Sequence, residues 1–287
     1  MLDKQDALST VPTTIGVLIF LLLYLLILAK VLFYAHGCDV AGLFRVVFCK
    51  MRFSKKIRND VLAIATFWKR YVTREGVKLS LRGASPRVRY SLFKNYEADD
   101  IRLCRVLLSR DDKVLELGSS IGFLAIYCMK NIGISNYASV EANPMLRDIM
   151  AENFKANNVP FPHYLNAAAG PVDGTVSFNV NKDYYSSSLK VEGDITIDVQ
   201  QKTIPTIIDS LGFKPNALIM DIEGGEIDIP LNHLCLFDKI IAEFHGRMVG
   251  EDKIDAIIEG LENSGYRLIA QEGPSMAFMR DKALAPA

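Results

Sequence analysis

The chain has 287 residues with 33 basic and 33 acidic side chains, so its formal net charge is zero. Its five cysteines, Cys38, Cys49, Cys104, Cys128 and Cys235, are odd in number and widely scattered. That pattern excludes a disulfide scaffold and a cysteine-built metal module, and it points to a reducing compartment.

Residues 1–14 read as a short tail. From Ile15 to Tyr34 the chain is apolar apart from Lys30, and roughly 20 apolar residues suffice for a helix to cross a hydrocarbon layer. A transmembrane helix is therefore expected over 15–36. A secretory signal would open on basic residues, whereas Asp3 and Asp6 here outnumber Lys4. Residues 41–90 then hold 13 Lys or Arg against Asp60 and Glu75, a local balance of +11 that leaves −11 for the remainder. Basic residues beside a span mark the cytoplasmic side, and each attracts an anionic leaflet by about 1 kcal/mol. Within this basic region, 37–76, the mixture of Leu, Phe, Val and Ile with Arg and Lys from Leu43 to Arg58 predicts an amphipathic helix at the interface. The expected partner of this charge is a membrane surface. Nucleic acid is the less simple partner, because an apolar span precedes the basic stretch.

Residues 77–287 are expected to fold as one domain, without repeats or a low-complexity linker. Val77 to Leu81 alternates like a strand, and Tyr96 to Ser109 reads as a helix. Short apolar runs alternating with helical windows then predict strands at Lys113–Leu117, Ala138–Glu141, His163–Ala167, Ala217–Asp221 and Lys239–Phe244. A final pair is expected at Tyr266–Ala270 and Met276–Arg280. The expected fold class is α/β, Rossmann-like, with a mostly parallel seven-stranded sheet.

In such sheets ligands bind at the carboxyl ends of the strands. The first strand ends in Glu116-Leu-Gly-Ser-Ser-Ile-Gly122, and the second in Ser139-Val-Glu-Ala-Asn-Pro144. Gly122 and Glu141 lie 19 positions apart, close to the roughly 20 between a nucleotide loop and a ribose-binding carboxylate. The loop has no central glycine, and Glu116 precedes it by two residues. An acid there repels phosphate and pairs with an ammonium group, which favours S-adenosylmethionine (SAM) over a dinucleotide. The other strand ends are also polar: Asn166, Asp221 and the Glu243-Phe-His245 group.

These residues resemble the FkbM family of SAM-dependent methyltransferases. The resemblance covers about 112–246 in order. It includes Glu152-Asn-Phe-Lys-Ala-Asn157, Asn166-Ala-Ala-Ala-Gly170, Met220-Asp-Ile-Glu-Gly-Gly-Glu226 and Ala242-Glu-Phe-His245. It implies a class I methyltransferase domain acting on hydroxyl groups, commonly on sugars. Glu116, Gly118, Ser119, Ser120 and Gly122 would surround the methionine portion, Glu141 and Ala142 the ribose, and Asn166 and Ala167 the adenine. Asp221 and Glu223 would face the methyl group with His245 nearby; Asp221 could instead hold the SAM amino group. The loop departs from the usual Asp-x-Gly-Ala-Asn-x-Gly, and Ile219 stands where the family often has lysine.

His245 is the expected general base, oriented by Asp221 or Glu223. No metal is assigned, because the Asp-x-Glu pair lacks an evident third ligand. Asn181-Lys-Asp-Tyr-Tyr-Ser-Ser-Ser188 suits sugar recognition. Trp68, His36, His163 and His233 read as structural. The expected activity is O-methylation of a sugar, lipid-linked glycan or polar lipid at a membrane. A non-catalytic membrane scaffold and a nicotinamide-dependent oxidoreductase are the competing readings. Against the second, the Tyr90-to-Lys94 pair precedes the glycine loop.

Overall fold

The computed structural model describes residues 55–94, 96–180 and 195–281. The expected span at 15–36, nearly all of the expected interfacial helix and the 181–188 stretch lie outside these residues. Among the described residues, no helix is long and apolar enough to cross a membrane. The chain divides into two compact units, Met1–Trp68 and Lys69–Ala287. In the first, a helix at Lys55–Ala65 is followed by Phe67 and Trp68, which meet edge to face at 5.3 Å. Both are exposed.

The second unit begins with an antiparallel hairpin of β1 (Tyr71–Arg74) and β2 (Val77–Ser80). This unit starts eight residues before position 77, because β1 pairs with the strand read from the sequence. Two isolated strands are marginal in water, and a helix at Arg147–Asn157 supports this pair. Asn153 Oδ1 accepts from the Ser80 amide at 2.6 Å, and Asn157 Oδ1 from the Lys78 amide at 2.9 Å. Asn157 also donates to the Lys78 carbonyl, and Glu152 accepts from Tyr71 and Ser80 hydroxyls. The Glu152-to-Asn157 motif thus satisfies the edge of β2. Arg70 and Arg82 pair with Glu152, so part of the basic stretch is turned to the protein itself.

Seven strands form the main sheet: β3 (Lys113–Leu117), β4 (Asn136–Glu141), β5 (His163–Asn166), β9 (Ala217–Met220), β10 (Lys239–Glu243), β11 (Tyr266–Glu272) and β12 (Ser275–Arg280). Their spatial order is β11-β12-β10-β9-β3-β4-β5. β10, β9, β3, β4 and β5 are parallel, whereas β12 runs antiparallel to both its neighbours. The mostly parallel sheet is as expected. Its central strands alternate between two cores. Val114, Ala217, Ile219 and Ile241 enter one; Leu115, Leu117, Leu218, Met220, Ile240 and Ala242 enter the other. A period of two with both faces apolar requires cover on both sides.

The expected strand His163–Ala167 stops at Asn166. Ala168–Ala169 (β6) instead joins a separate three-stranded sheet with β7 (Gly174–Val180) and β8 (Ile195–Lys202), ordered β6-β8-β7. The expected helix Tyr96–Ser109 is shorter, at Ala98–Leu107. It begins after Glu97, whose φ of 48° is left-handed and breaks the helical path.

Candidate active site

The carboxyl ends of β3, β4 and β9 meet through backbone hydrogen bonds. The Gly118 amide donates to Val140 O at 2.9 Å, and the Asp221 amide to Leu117 O at 3.0 Å. Gly118 has φ +85°, and a Cβ placed there would lie 1.7 Å from the Asp221 carbonyl oxygen. Only glycine fits this crossing. Beside it opens a cavity of about 440 Å³, bordered by all three strand ends, the helix start at Glu97–Asp100, and the β6 and β7 residues Ala168, Ala169 and Phe178.

Seven of the expected site residues line this cavity: Gly118, Ser120, Glu141, Ala142, Ala167, Asp221 and Glu223. Glu141 is buried, and its two oxygens accept from the Ser120 and Asn143 amides, each at 2.7 Å. Burial raises its pKa, against the pull of those backbone bonds. The Glu141 carboxylate therefore fixes the glycine loop to the end of β4 while facing the cavity. Ser120 has φ 46° and Glu223 φ 51°. With Glu97, three of the five left-handed non-glycine residues described here border one cavity. Strain gathered there marks a site whose shape is imposed by its surroundings.

The other expected residues lie elsewhere. Gly122 caps the helix Phe123–Tyr127, and a Cβ there would come within 2.8 Å of Met150 and Phe154, so its role is helix packing. Ser119 is buried against Met150. Asn166 is exposed and donates to the Glu141 and Ala142 carbonyls, steadying the turn after β4. Glu116 does not border the cavity. It is buried, accepts from Ser139 at 3.0 Å, and burial pushes its carboxyl up from 4.5 to about 8.

A raised acid pKa means that the folded state holds the proton more tightly. Stability is then full below pH 4.5 and is lost as pH rises through about 8. The loss amounts to at most about 5 kcal/mol. Glu116→Gln keeps the shape without the charge. Urea unfolding should therefore show a midpoint that falls from pH 5 to pH 9 in both chains but by less in the variant, where Asp221 and Glu223 still titrate and Glu116 does not. Parallel curves would show that Glu116 ionises freely.

His245 departs most from expectation. It does not border the cavity but lies behind the Asp221, Glu223 and Glu243 carboxylates, with its side chain 15 % exposed. Its Nδ1 meets Glu226 Oε1 at 3.0 Å. Its Nε2 faces Glu223, Asp221 and Glu243 oxygens at 3.5, 3.7 and 3.8 Å. Burial presses the imidazole pKa down, but the hydrogen bond and charge of Glu226, with Glu223 and Glu243, prevail and raise it. Four acids thus surround the imidazole, and it reaches the cavity only through them. Burial also raises Asp221 well above its ordinary value, with Glu243 and Glu223 adding to the rise. It brings Glu223 to about 7 against the attraction of His245.

Glu97, Asp99, Asp100, Glu226 and Glu243 belong to the site although no role was read for them from sequence. Glu226 is fully buried and also accepts from the Ile222 and Gly224 amides. Its signal was available, as the last acid of the Asp221-to-Glu226 block. Glu97 to Asp100 gave none, since acids at a helix start usually serve the helix dipole.

No protein-family model matches the sequence, and no curated protein matches it either. Similar solved structures are methyltransferases by description. The methyltransferase FkbM from Methylobacillus flagellatus KT is 13% identical over 76% of this chain and 59% of its own, with a TM-score of 0.40. A methyltransferase from Pyrococcus furiosus is 11% identical over 79% of this chain and 99% of its own, at 0.44. TYW2 from M. jannaschii, solved with AdoMet, is 14% identical over 74% and 86%, at 0.35. The chain thus spans under two thirds of the FkbM protein's length.

Proposed function

We propose that this chain is a SAM-dependent methyltransferase acting on a hydroxyl of a sugar, lipid-linked glycan or polar lipid, and held at a membrane by residues 15–36. The observation that carries the cofactor reading is the charge of the cavity. Glu97, Asp99, Asp100, Glu141, Asp221, Glu223 and Glu243 line it against Arg87 alone. Seven carboxylates disfavour a pyrophosphate and suit a cationic nucleoside. The residues fit that ligand, since Gly118 leaves its backbone bare and Glu141 presents a carboxylate beside it.

Bound SAM supplies an electrophilic methyl group on a sulfonium. The protein's contribution is alignment and proton removal. Glu141 and the Gly118–Ser120 loop hold the nucleoside, and the acidic wall holds the acceptor. Glu223, titrating near neutrality at the cavity surface, takes the proton released by the acceptor oxygen. The membrane reading is supported by exposed Ile64, Phe67 and Trp68 followed by Lys69 and Arg70, a mixture suited to a lipid interface. The catalytic domain would then face the cytoplasm.

Calorimetry of the full chain should show heat with SAM and none with NADH. Methyl-labelled SAM, incubated with the protein and membranes, should then mark the lipid or glycan fraction. Asp221→Asn should lower that labelling by about 100-fold or more. Heat with NADH alone would establish an oxidoreductase instead, and undiminished labelling would remove Asp221 from the chemistry.

A further inference from the structure

We propose that Asp221, Glu243 and His245 form a site for a divalent cation of the Mn²⁺ or Mg²⁺ class at the cavity floor. One oxygen from each acid and one nitrogen of His245 lie within 4.8 Å of one another. The His245 Nε2 separations of 3.7 Å to Asp221 and 3.8 Å to Glu243 are longer than hydrogen bonds. They leave room for one ion between the three groups, which would draw them toward the about 3 Å of neighbouring ligands at bonds of about 2.1 Å.

Two further features point to an occupant. Asp221 Oδ1 is shut off from solvent and has no hydrogen-bond partner. Fully buried Glu226 binds Nδ1, which turns Nε2 toward the acids. A carboxylate behind a histidine is the usual support of a metal-bound imidazole. Among the described residues, Asp221 and Glu243 make their ion pairs with His245 alone. A divalent ion between the three groups would offset the like charge of the two acids.

The site deepens the methyltransferase reading. Two carboxylates and one imidazole leave coordination positions open toward the cavity, which half-buried Asp221 and Glu243 line. An acceptor hydroxyl bound there becomes more acidic, and its proton passes to Glu223 while its oxygen stays on the ion. This supplies the activation that His245 does not. The acceptor class that follows is one offering an oxygen ligand beside the reacting hydroxyl, such as a vicinal diol.

The test is titration of the chelator-stripped full chain with Mn²⁺, read by loss of the free-ion paramagnetic resonance signal. One tight equivalent is expected, with nitrogen coupling in the spin-echo spectrum that disappears in His245→Gln. Asp221→Asn and Glu243→Gln should each weaken binding by at least about tenfold. Asp99→Asn, another acid of the same cavity, should leave it nearly unchanged. No binding at millimolar Mn²⁺, binding without nitrogen coupling, or equal weakening by Asp99→Asn would each overturn the site. These measurements need no folded variant for the first result. SAM calorimetry on the same sample separates failure of the metal site from failure of the cofactor site.

Discussion

Replacing Gly118 with alanine should abolish SAM binding while lowering the thermal midpoint. The added Cβ would lie 1.7 Å from the Asp221 carbonyl oxygen and 2.8 Å from its carbon. Both are main-chain atoms, so no rotamer change relieves the clash; β3 and β9 must part at their carboxyl ends. The φ of +85° adds strain of about 1–2 kcal/mol for any residue with a Cβ. A displacement of an ångström at a ligand site can cost about 100-fold, and this site loses its floor as well as its loop. Calorimetric affinity within a few-fold of the parent would show that the nucleoside binds elsewhere. Ser119→Ala is the matching control, since that side chain is buried against Met150 and outside the cavity.

Glu141→Ala should weaken SAM binding by about 100-fold, through two losses of different kinds. The ribose loses its carboxylate, and the Ser120 and Asn143 amides lose their acceptors. Each buried amide left unpaired costs about 1–3 kcal/mol. Glu141→Gln separates the two effects. Its one remaining oxygen can accept from a single amide, so the loop loosens only partly, and the affinity should fall midway between parent and alanine. If glutamine matched the parent and alanine lost under threefold, Glu141 would be a structural clamp without a ligand.

The sheet was readable because its central strands are apolar on both faces, a pattern that few other elements produce. Lys113–Leu117 and the cluster of polar strand ends located the cavity with no further information. The three-stranded sheet was not readable in the same way. Thr175-Val-Ser-Phe-Asn-Val180 alternates polar and apolar residues and buries only Phe178 and Val180, as in a sheet with one wet face. Such alternation is weaker than a continuous apolar run, and the neighbouring Asn166-Ala-Ala-Ala-Gly170 gave no sign that the chain would change sheets after Ala167.

Within the site, sequence order identified the acids but not their geometry. Glu116 sits one strand position from Leu117, and a period of two sends its carboxyl into the buried side against Ser139, away from the cavity. His245 was recognisable as a strand-end histidine. Its partner Glu226 lies 19 residues earlier, beyond a turn whose path depends on Glu223 and Gly224 at φ 51° and 94°. That turn brings Asp221, Glu223 and Glu226 around a ring that Glu243 flanks from the end of β10, and their charge raises the ring's pKa.

The asparagines that hold β2 also decide where mechanical load goes. Tension applied at Lys69 reaches β1 first and enters the helix Arg147–Asn157 there through Glu152, and across the ladder to β2 through Asn153, Asn157 and Glu152. None of the strands whose ends shape the cavity lies on that route before the helix. Tugging at the amino-terminal side would therefore peel a ribbon from a helix flank before it could distort the ligand pocket.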